Sequence, residues 1–316
     1  MIDIKLLEQL CLCNGISGDE GNVRNLIINE IKDCADDIKT DNLGNLIVFK
    51  KGKKSAKSKL MVSAHMDEVG LMVTDITSDG YLKFDEVGGI DRRVLPGKRV
   101  CVGRNGLNGV IGVKPIHLTN GDEKTAVPKM NDMYIDIGAE SREDALKYVN
   151  YGDGINFEGD FTINGKTVVT KALDDRFGCY VLINLIKSES EYDMYFTFVV
   201  QEEVGLRGAR PAAFTVNPDF ALVIESTTAA DVAEVDASHQ VCNLSKGATV
   251  TVMDRATVYD KEMISAAFEL AEKNNIAVQY KRAVAGGNDS GAIHQSRGGV
   301  RTLAVSLPSR YIPVSY

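Results

Sequence analysis

The 316-residue chain has no tryptophan, seven prolines and four histidines. It also lacks a basic excess: 36 lysines and arginines stand against 44 aspartates and glutamates, for a net charge of −8. Nucleic-acid binders usually show the opposite balance, and so do polybasic membrane-surface proteins. No apolar run approaches the roughly 18 residues of a membrane span. No internal repeat or low-complexity tract is present. The six cysteines, at 11, 13, 34, 101, 179 and 242, include no pair at CxxC spacing. They read as reduced thiols rather than a disulfide framework. The opening MIDIKLLEQLCLCNG carries Asp3 and Glu8 where a secretory leader would be basic and then apolar. Together these absences predict a soluble, cytoplasmic protein with no nucleic-acid and no membrane partner.

What is present is an alternation that changes texture twice. Residues 3–12 and 19–33 carry apolar side chains at helical spacing, with Val23, Leu26, Ile27 and Ile31 on one face. NLIVF follows the break at Gly44. KLMVSAHMD is an apolar run that ends in polar, ligand-type residues, as a buried strand does when it delivers a site at its C-terminal end. The lysine-rich stretch between the apolar runs 46–49 and 60–62 reads as the solvated tip of a hairpin. From 70 to 165, short β-type runs alternate with glycine-containing turns, interrupted by one short helix, SREDALKYV. From 166 onward, helices such as DDRFGCYVLINLIKS alternate with apolar strands such as YFTFVVQEE and FALVIES. The predicted fold is layered α/β, a mixed sheet with helices on both faces. It comprises 1–69 plus 166–316, with a mostly-β domain inserted at 70–165. Three serial domains fit less well, because 69 residues with two strands make a poor independent core.

Four clusters of ligand-type residues sit at predicted element ends. His65 and Asp67 follow LMVSA, and in extended chain positions i and i+2 point the same way. Asp67 can therefore reach the ring of His65 and set its tautomer. Asp174-Asp175 opens a helix, where a carboxylate pair can serve as a cap or as a bridging metal ligand. Glu202-Glu203 ends a strongly apolar strand. Adjacent carboxylates in a partly dry site repel unless a cation or proton intervenes, which splits them into one ligand and one general base. Glu225 follows FALVI. One imidazole and several carboxylates, with no cysteine, suit a catalytic Zn, Co, Mn or Ni site. The set exceeds what a single catalytic zinc uses and points to two metals sharing a carboxylate.

The motifs AHMDEVG (64–70), KALDDRFG (171–178), VVQEEVGLRGA (199–209), VIESTTAADV (223–232) and GGNDSGAIH (286–294) resemble the M42 family of di-metal aminopeptidases. GISGDEGNVR and DNLGNLIV fit the same pattern. The resemblance implies an aminopeptidase that hydrolyses the N-terminal residue of short peptides. It implies that Asp174 bridges two divalent metal ions, Zn or Co foremost and Mn or Ni also compatible. His65 and Glu225 would complete one site and Glu203 would bind the second metal. Glu202 would be the general base, and Asp67 would orient His65. It also implies a cis peptide between Asp174 and Asp175. The inserted domain at 70–165 would mediate dimerisation and assembly of a homo-oligomer, a dimer building a dodecamer.

One departure stands out. The resemblance implies a last metal-ligand histidine directly after an Arg-Tyr-Ile stretch, then a C-terminal helix. Here Arg310-Tyr311-Ile312 is followed by Pro313-Val314-Ser315-Tyr316. Either that histidine lies outside the sequence given, or the second metal site is weakened and the protein is an impaired M42-like scaffold. A glycoside hydrolase, suggested by old labels in the family, needs two carboxyls on opposite sides of a sugar bond. Adjacent Glu202 and Glu203 do not supply that, and no tryptophan offers a stacking platform. The preferred N-terminal residue is not legible, and Arg92-Arg93 reads as a solvated turn.

Overall fold

The computed structural model describes residues 3–312, apart from the side chain of Glu123. Helix α1 (Ile4–Leu12) starts on Asp3, whose carboxylate accepts the Leu6 N–H at 3.2 Å. Helix α2 (Gly21–Ile31) buries Val23, Ile27 and Ile31, the face expected from their spacing. Strands β1 (Asp37–Thr40), β2 (Leu46–Lys50) and β3 (Leu60–His65) follow. The next strands are β4 (Gly70–Ile76), β5 (Leu82–Val87), β6 (Arg99–Val102), β7 (Leu107–Gly112), β8 (Tyr134–Asp136) and β9 (Gly154–Phe157). Helix α3 (Arg142–Ala145) lies between β8 and β9, and β10 (Thr162–Asn164) and β11 (Thr167–Val169) form a small hairpin. The remaining chain gives α4 (Leu173–Lys187), β12 (Met194–Val199), α5 (Ala209–Val216), β13 (Phe220–Thr228) and β14 (Ala248–Val250). It closes with α6 (Lys261–Lys273), β15 (Val278–Tyr280), α7 (Ser290–Ile293) and β16 (Arg301–Ser309).

The described chain divides into two compact units, one running through Asp67 and resuming over Ala172–Ile312, the other Glu68–Lys171. The first unit is built on an eight-stranded mixed sheet of order β1-β2-β12-β3-β13-β16-β14-β15. Its central strands β12, β3, β13 and β16 are mutually parallel, flanked by antiparallel β2 and β14. Strands covered on both faces must be apolar along their whole length, and Phe196, Phe198, Val199, Ala221 and Val223 are fully buried. Helices α1 and α2 pack on α4, which lies against β3 and β13, while α5, α6 and α7 contact β12, β13 and β16. The latter side is filled by Met61, Ala209, Ala213, Val216, Ile293 and Leu303 among others. This is the layered α/β arrangement predicted.

The second unit is a closed barrel of order β4-β5-β8-β7-β6-β9, antiparallel throughout. Period-2 alternation turns Leu71, Val73, Leu82, Phe84, Val100, Val102, Ile111, Ile135 and Ile155 into its core.

The lysine-rich stretch is not a hairpin tip. Strand β12 lies between β2 and β3, so the 50–59 segment steps across a strand instead of reversing beside one. The hairpin partner of β2 is β1, with Ile38 opposite Val48. The link is tied down by main-chain bonds from Lys53 and Lys54 to the carbonyls of Ser190 and Glu191. Among the described residues, no helix is long and apolar enough to cross a membrane. The six cysteines are free thiols.

Candidate metal centre

Strand β3 ends at His65, which is 1% exposed. The ring Nδ1 donates to the main-chain carbonyl of Asp67 at 3.0 Å. That bond puts the ring proton on Nδ1 and leaves Nε2 facing Asp174 Oδ1 and Glu225 Oε1, each at 3.4 Å. The tautomer is therefore set by the carbonyl of Asp67. Its carboxylate, expected from spacing to do this, stands 3.4 Å from the ring and is engaged elsewhere.

That carboxylate is a hub. It accepts the hydroxyl of Ser17 at 2.6 Å and the main-chain N–H groups of Glu202 at 3.0 Å and Glu203 at 3.1 Å. The glutamate pair lies in the loop after β12, and Asn45 clamps this loop at its two ends. Asn45 accepts the N–H of Val200 and donates to the carbonyl of Gly208, each at 3.0 Å. Glu225 lies inside β13, which continues to Thr228, rather than at a strand end.

Asp174 and Asp175 have non-helical backbone angles within α4, and the peptide bond between them is cis, as the resemblance implied. The two carboxylates part company there. Asp174 turns to His65. Asp175 accepts the N–H of Gly178 at 3.0 Å, which is the capping role. Gly178 is required at that position: a Cβ there would sit 2.3 Å from Asp175 Oδ2. Next door, the fully buried Arg176 donates to the carbonyls of Met66 at 2.8 Å, Leu10 at 2.6 Å, Cys13 at 2.7 Å and Gly15 at 3.2 Å. It ties the residue between His65 and Asp67 to the N-terminal segment.

Two overlapping groups could each hold a cation. Ligand atoms of His65, Asp174 and Glu225 all lie within 4.8 Å of one another, and so do those of His65, Glu202 and Glu203. Asp174 Oδ1 is buried without a hydrogen-bond partner. Buried carboxylate oxygens rarely go unsatisfied, and an N/O donor set of this kind is what a divalent transition metal takes. The residues present therefore fit the metal that the pattern implies. His117 and His239 are exposed, and neither they nor His294 joins these groups. The position expected for a last ligand histidine, after Ile312, lies outside the described residues.

The electrostatics follow from crowding. Burial works against a charged His65, but Glu225, Asp174 and Asp67 outweigh it and push the imidazole well above its ordinary value. Burial also works to raise Asp67, yet His65, the Ser17 hydroxyl and the Glu202 N–H hold its carboxyl below the usual range. Glu202 is pushed well up, first by burial and then by Glu225, Asp289 and Glu203.

The M42 glutamyl aminopeptidase family profile matches residues 44–315. The chain belongs to this family. An Acetivibrio thermocellus relative, provisionally named an aminopeptidase, is 44% identical over 97% of this chain and 90% of its own length. The lysyl aminopeptidase of Pyrococcus furiosus is 34% identical over 99% of this chain and 90% of its own. Among solved structures, the Pyrococcus horikoshii TET1 peptidase, described as assembling into a tetrahedron or a large octahedral shell, superposes with a TM-score of 0.85. It is 40% identical and covers 98% of this chain and 92% of its own.

Within this M42 frame, all six residues singled out from the sequence are drawn together: His65, Asp67, Asp174, Glu202, Glu203 and Glu225. Two others were missed. Asp289, in GGNDSGAIH, is 1% exposed, and neither carboxylate oxygen has a hydrogen-bond partner. Burial pushes its carboxyl up to about 7. Its signal in the sequence is an aspartate inside the GGNDSGAIH motif. Glu20 is the second, and its role is apparent only from a contact 181 residues away.

Proposed function

We propose that this M42 protein is a metal-dependent aminopeptidase that removes the N-terminal residue of short peptides. The observation that carries the reading is the group of buried His65 and Glu225 with half-buried Asp174, adjoined through His65 by Glu202 and Glu203. In this reading His65, Glu225 and Asp174 would hold one divalent cation and Glu203, sharing Asp174, would hold a second, with Zn or Co foremost. Bound cations would lower the pKa of a water and polarise the scissile carbonyl. Glu202 serves as general base: it takes the water proton and returns it to the leaving amine. Asp67 works through others, fixing His65 with its carbonyl and the Glu202–Glu203 main chain with its carboxylate. The six free thiols suit a cytoplasmic protein. The reading includes a homo-oligomer built of dimers, with the β-barrel unit as its assembly element; the similar TET1 peptidase is described as assembling into a tetrahedron or a large octahedral shell.

The test is hydrolysis of a panel of aminoacyl chromogenic amides by chelator-stripped protein, with and without added Co or Zn. Metal-dependent release that is lost in Glu202→Gln supports the reading and gives the side-chain preference. Silence across the panel with every metal would sink it and leave an impaired M42 scaffold.

A further inference from the structure

The segment GISGDE at 15–20 has no task in the chemistry above, yet it is built into the site. Glu20 is 4% exposed and immediately precedes α2, but its side chain does not cap that helix. Its Oε1 accepts two main-chain N–H groups, Gly18 at 2.7 Å and Gln201 at 3.1 Å. The next two N–H groups after Gln201 are those of Glu202 and Glu203, and both go to Asp67. Gln201 has a φ of +57°, the left-handed turn that swings its N–H away from the other two. Three successive amides are thus divided between two buried carboxylates. Ser17 closes the circuit, since its hydroxyl reaches Asp67 from the same segment that holds Glu20.

We propose that Glu20 is a positioning residue for Glu202: by accepting the Gln201 N–H it sets the main chain from which the Glu202 carboxylate is presented. Asp67 fixes the two glutamates at their own amides, and Asn45 fixes the Val200 amide that precedes the turn. Glu20 holds the amide between them, that of Gln201, from a distant part of the sequence. A misplacement of about 1 Å at a reacting group can cost ~100-fold in rate, so the anchor has leverage without touching substrate. The inference rests on Glu202 being the general base.

The experiment compares wild type, Glu20→Ala and Glu20→Gln in two readouts. The first is hydrogen–deuterium exchange of the peptide covering 199–206. The second is kcat and KM on the best chromogenic amide, together with cobalt affinity by calorimetry. In Glu20→Ala the amides of this peptide should exchange about tenfold faster, the worth of one hydrogen bond. In the same variant kcat should fall ~10–100-fold, with KM and cobalt affinity within about threefold of wild type. Glu20→Gln keeps a carbonyl oxygen in place of Oε1 and should restore both readouts. In a Glu202→Gln background, Glu20→Ala should cost no further kcat. Unchanged exchange in Glu20→Ala overturns the proposal, and so does unchanged kcat with faster exchange. Equal losses in Glu20→Ala and Glu20→Gln overturn it too, because they would make charge, not an acceptor, the requirement. Should Glu20→Ala fail to fold, Glu20→Asp, one methylene short of Gln201, takes its place. A wild type silent on every amide defeats the peptidase reading, and the exchange result then decides the anchoring of the 201–203 main chain by itself.

Discussion

The carboxylate of Asp67 accepts the main-chain N–H of Glu202 at 3.0 Å, across 135 residues of sequence. The same residue holds the ring of His65 through its carbonyl. One residue therefore sets both the His65 imidazole, which faces Asp174 and Glu225, and the backbone of Glu202. Loss of its carboxylate should damage the glutamate loop more than the His65 tautomer.

Glu202→Gln is close to isosteric and leaves the bond from the Glu202 N–H to Asp67 untouched. It should lower kcat by ~100–10,000-fold, the range for removing a general base. Cobalt or zinc content measured after dialysis should stay at the wild-type level. A variant that lost its metal as well would mean that Glu202 is a ligand.

His65 belongs to both candidate cation groups. His65→Ala should therefore abolish the stabilisation that metal confers. In wild type, a cation at 100 times its Kd adds about 2.7 kcal/mol, seen as a rise in Tm on adding zinc to stripped protein. The variant should show no rise. A wild-type-sized rise would place the bound metal elsewhere.

Stripped protein should lose stability as pH rises from about 4 to about 7. Asp289 has its folded carboxyl raised from 3.8 to about 7, burial being the main cause. In that window the folded state keeps a proton that the unfolded chain has released, so stability falls with rising pH. Glu202 and Glu225, also raised, act in the same direction. Asp289→Asn removes one such group and should flatten the profile of Tm against pH. A stripped protein whose Tm climbs over this range would contradict the assignment.

Gly178→Ala would place a methyl 2.3 Å from Asp175 Oδ2. It should destabilise the fold by roughly 1–3 kcal/mol, as overpacking does. Chemical denaturation at fixed metal concentration reads this directly. A change below about 0.5 kcal/mol would show that α4 yields more easily than its close contact suggests.

Much of this was legible in the order of residues. Buried parallel strands must be apolar along their length, so β3, β12 and β13 announced themselves, and polar residues near their C-terminal ends stood out against that background. Sheet order was not legible in the same way. Strand β12 begins 144 residues after β2 ends and inserts beside it, and nothing in the lysine-rich link records that event. Short strands such as β14 and β15 carry only three residues each, too few for a period to show. Glu20 and Asp289 were illegible for another reason. A carboxylate's meaning depends on which donors surround it, and those donors come from distant parts of the chain.

The left-handed turn at Gln201 has a consequence for what this position can tolerate. The loop uses the main chain of this residue: its N–H reaches Glu20, its carbonyl accepts the Arg207 N–H at 3.1 Å, and its φ is positive. Glycine or asparagine could stand at 201 with little disturbance, because both accept a positive φ. Valine or isoleucine could not, although either would leave every carboxylate of the centre in place. The spelling of the sequence at this point is thus constrained by geometry rather than by side-chain chemistry, one residue away from Glu202.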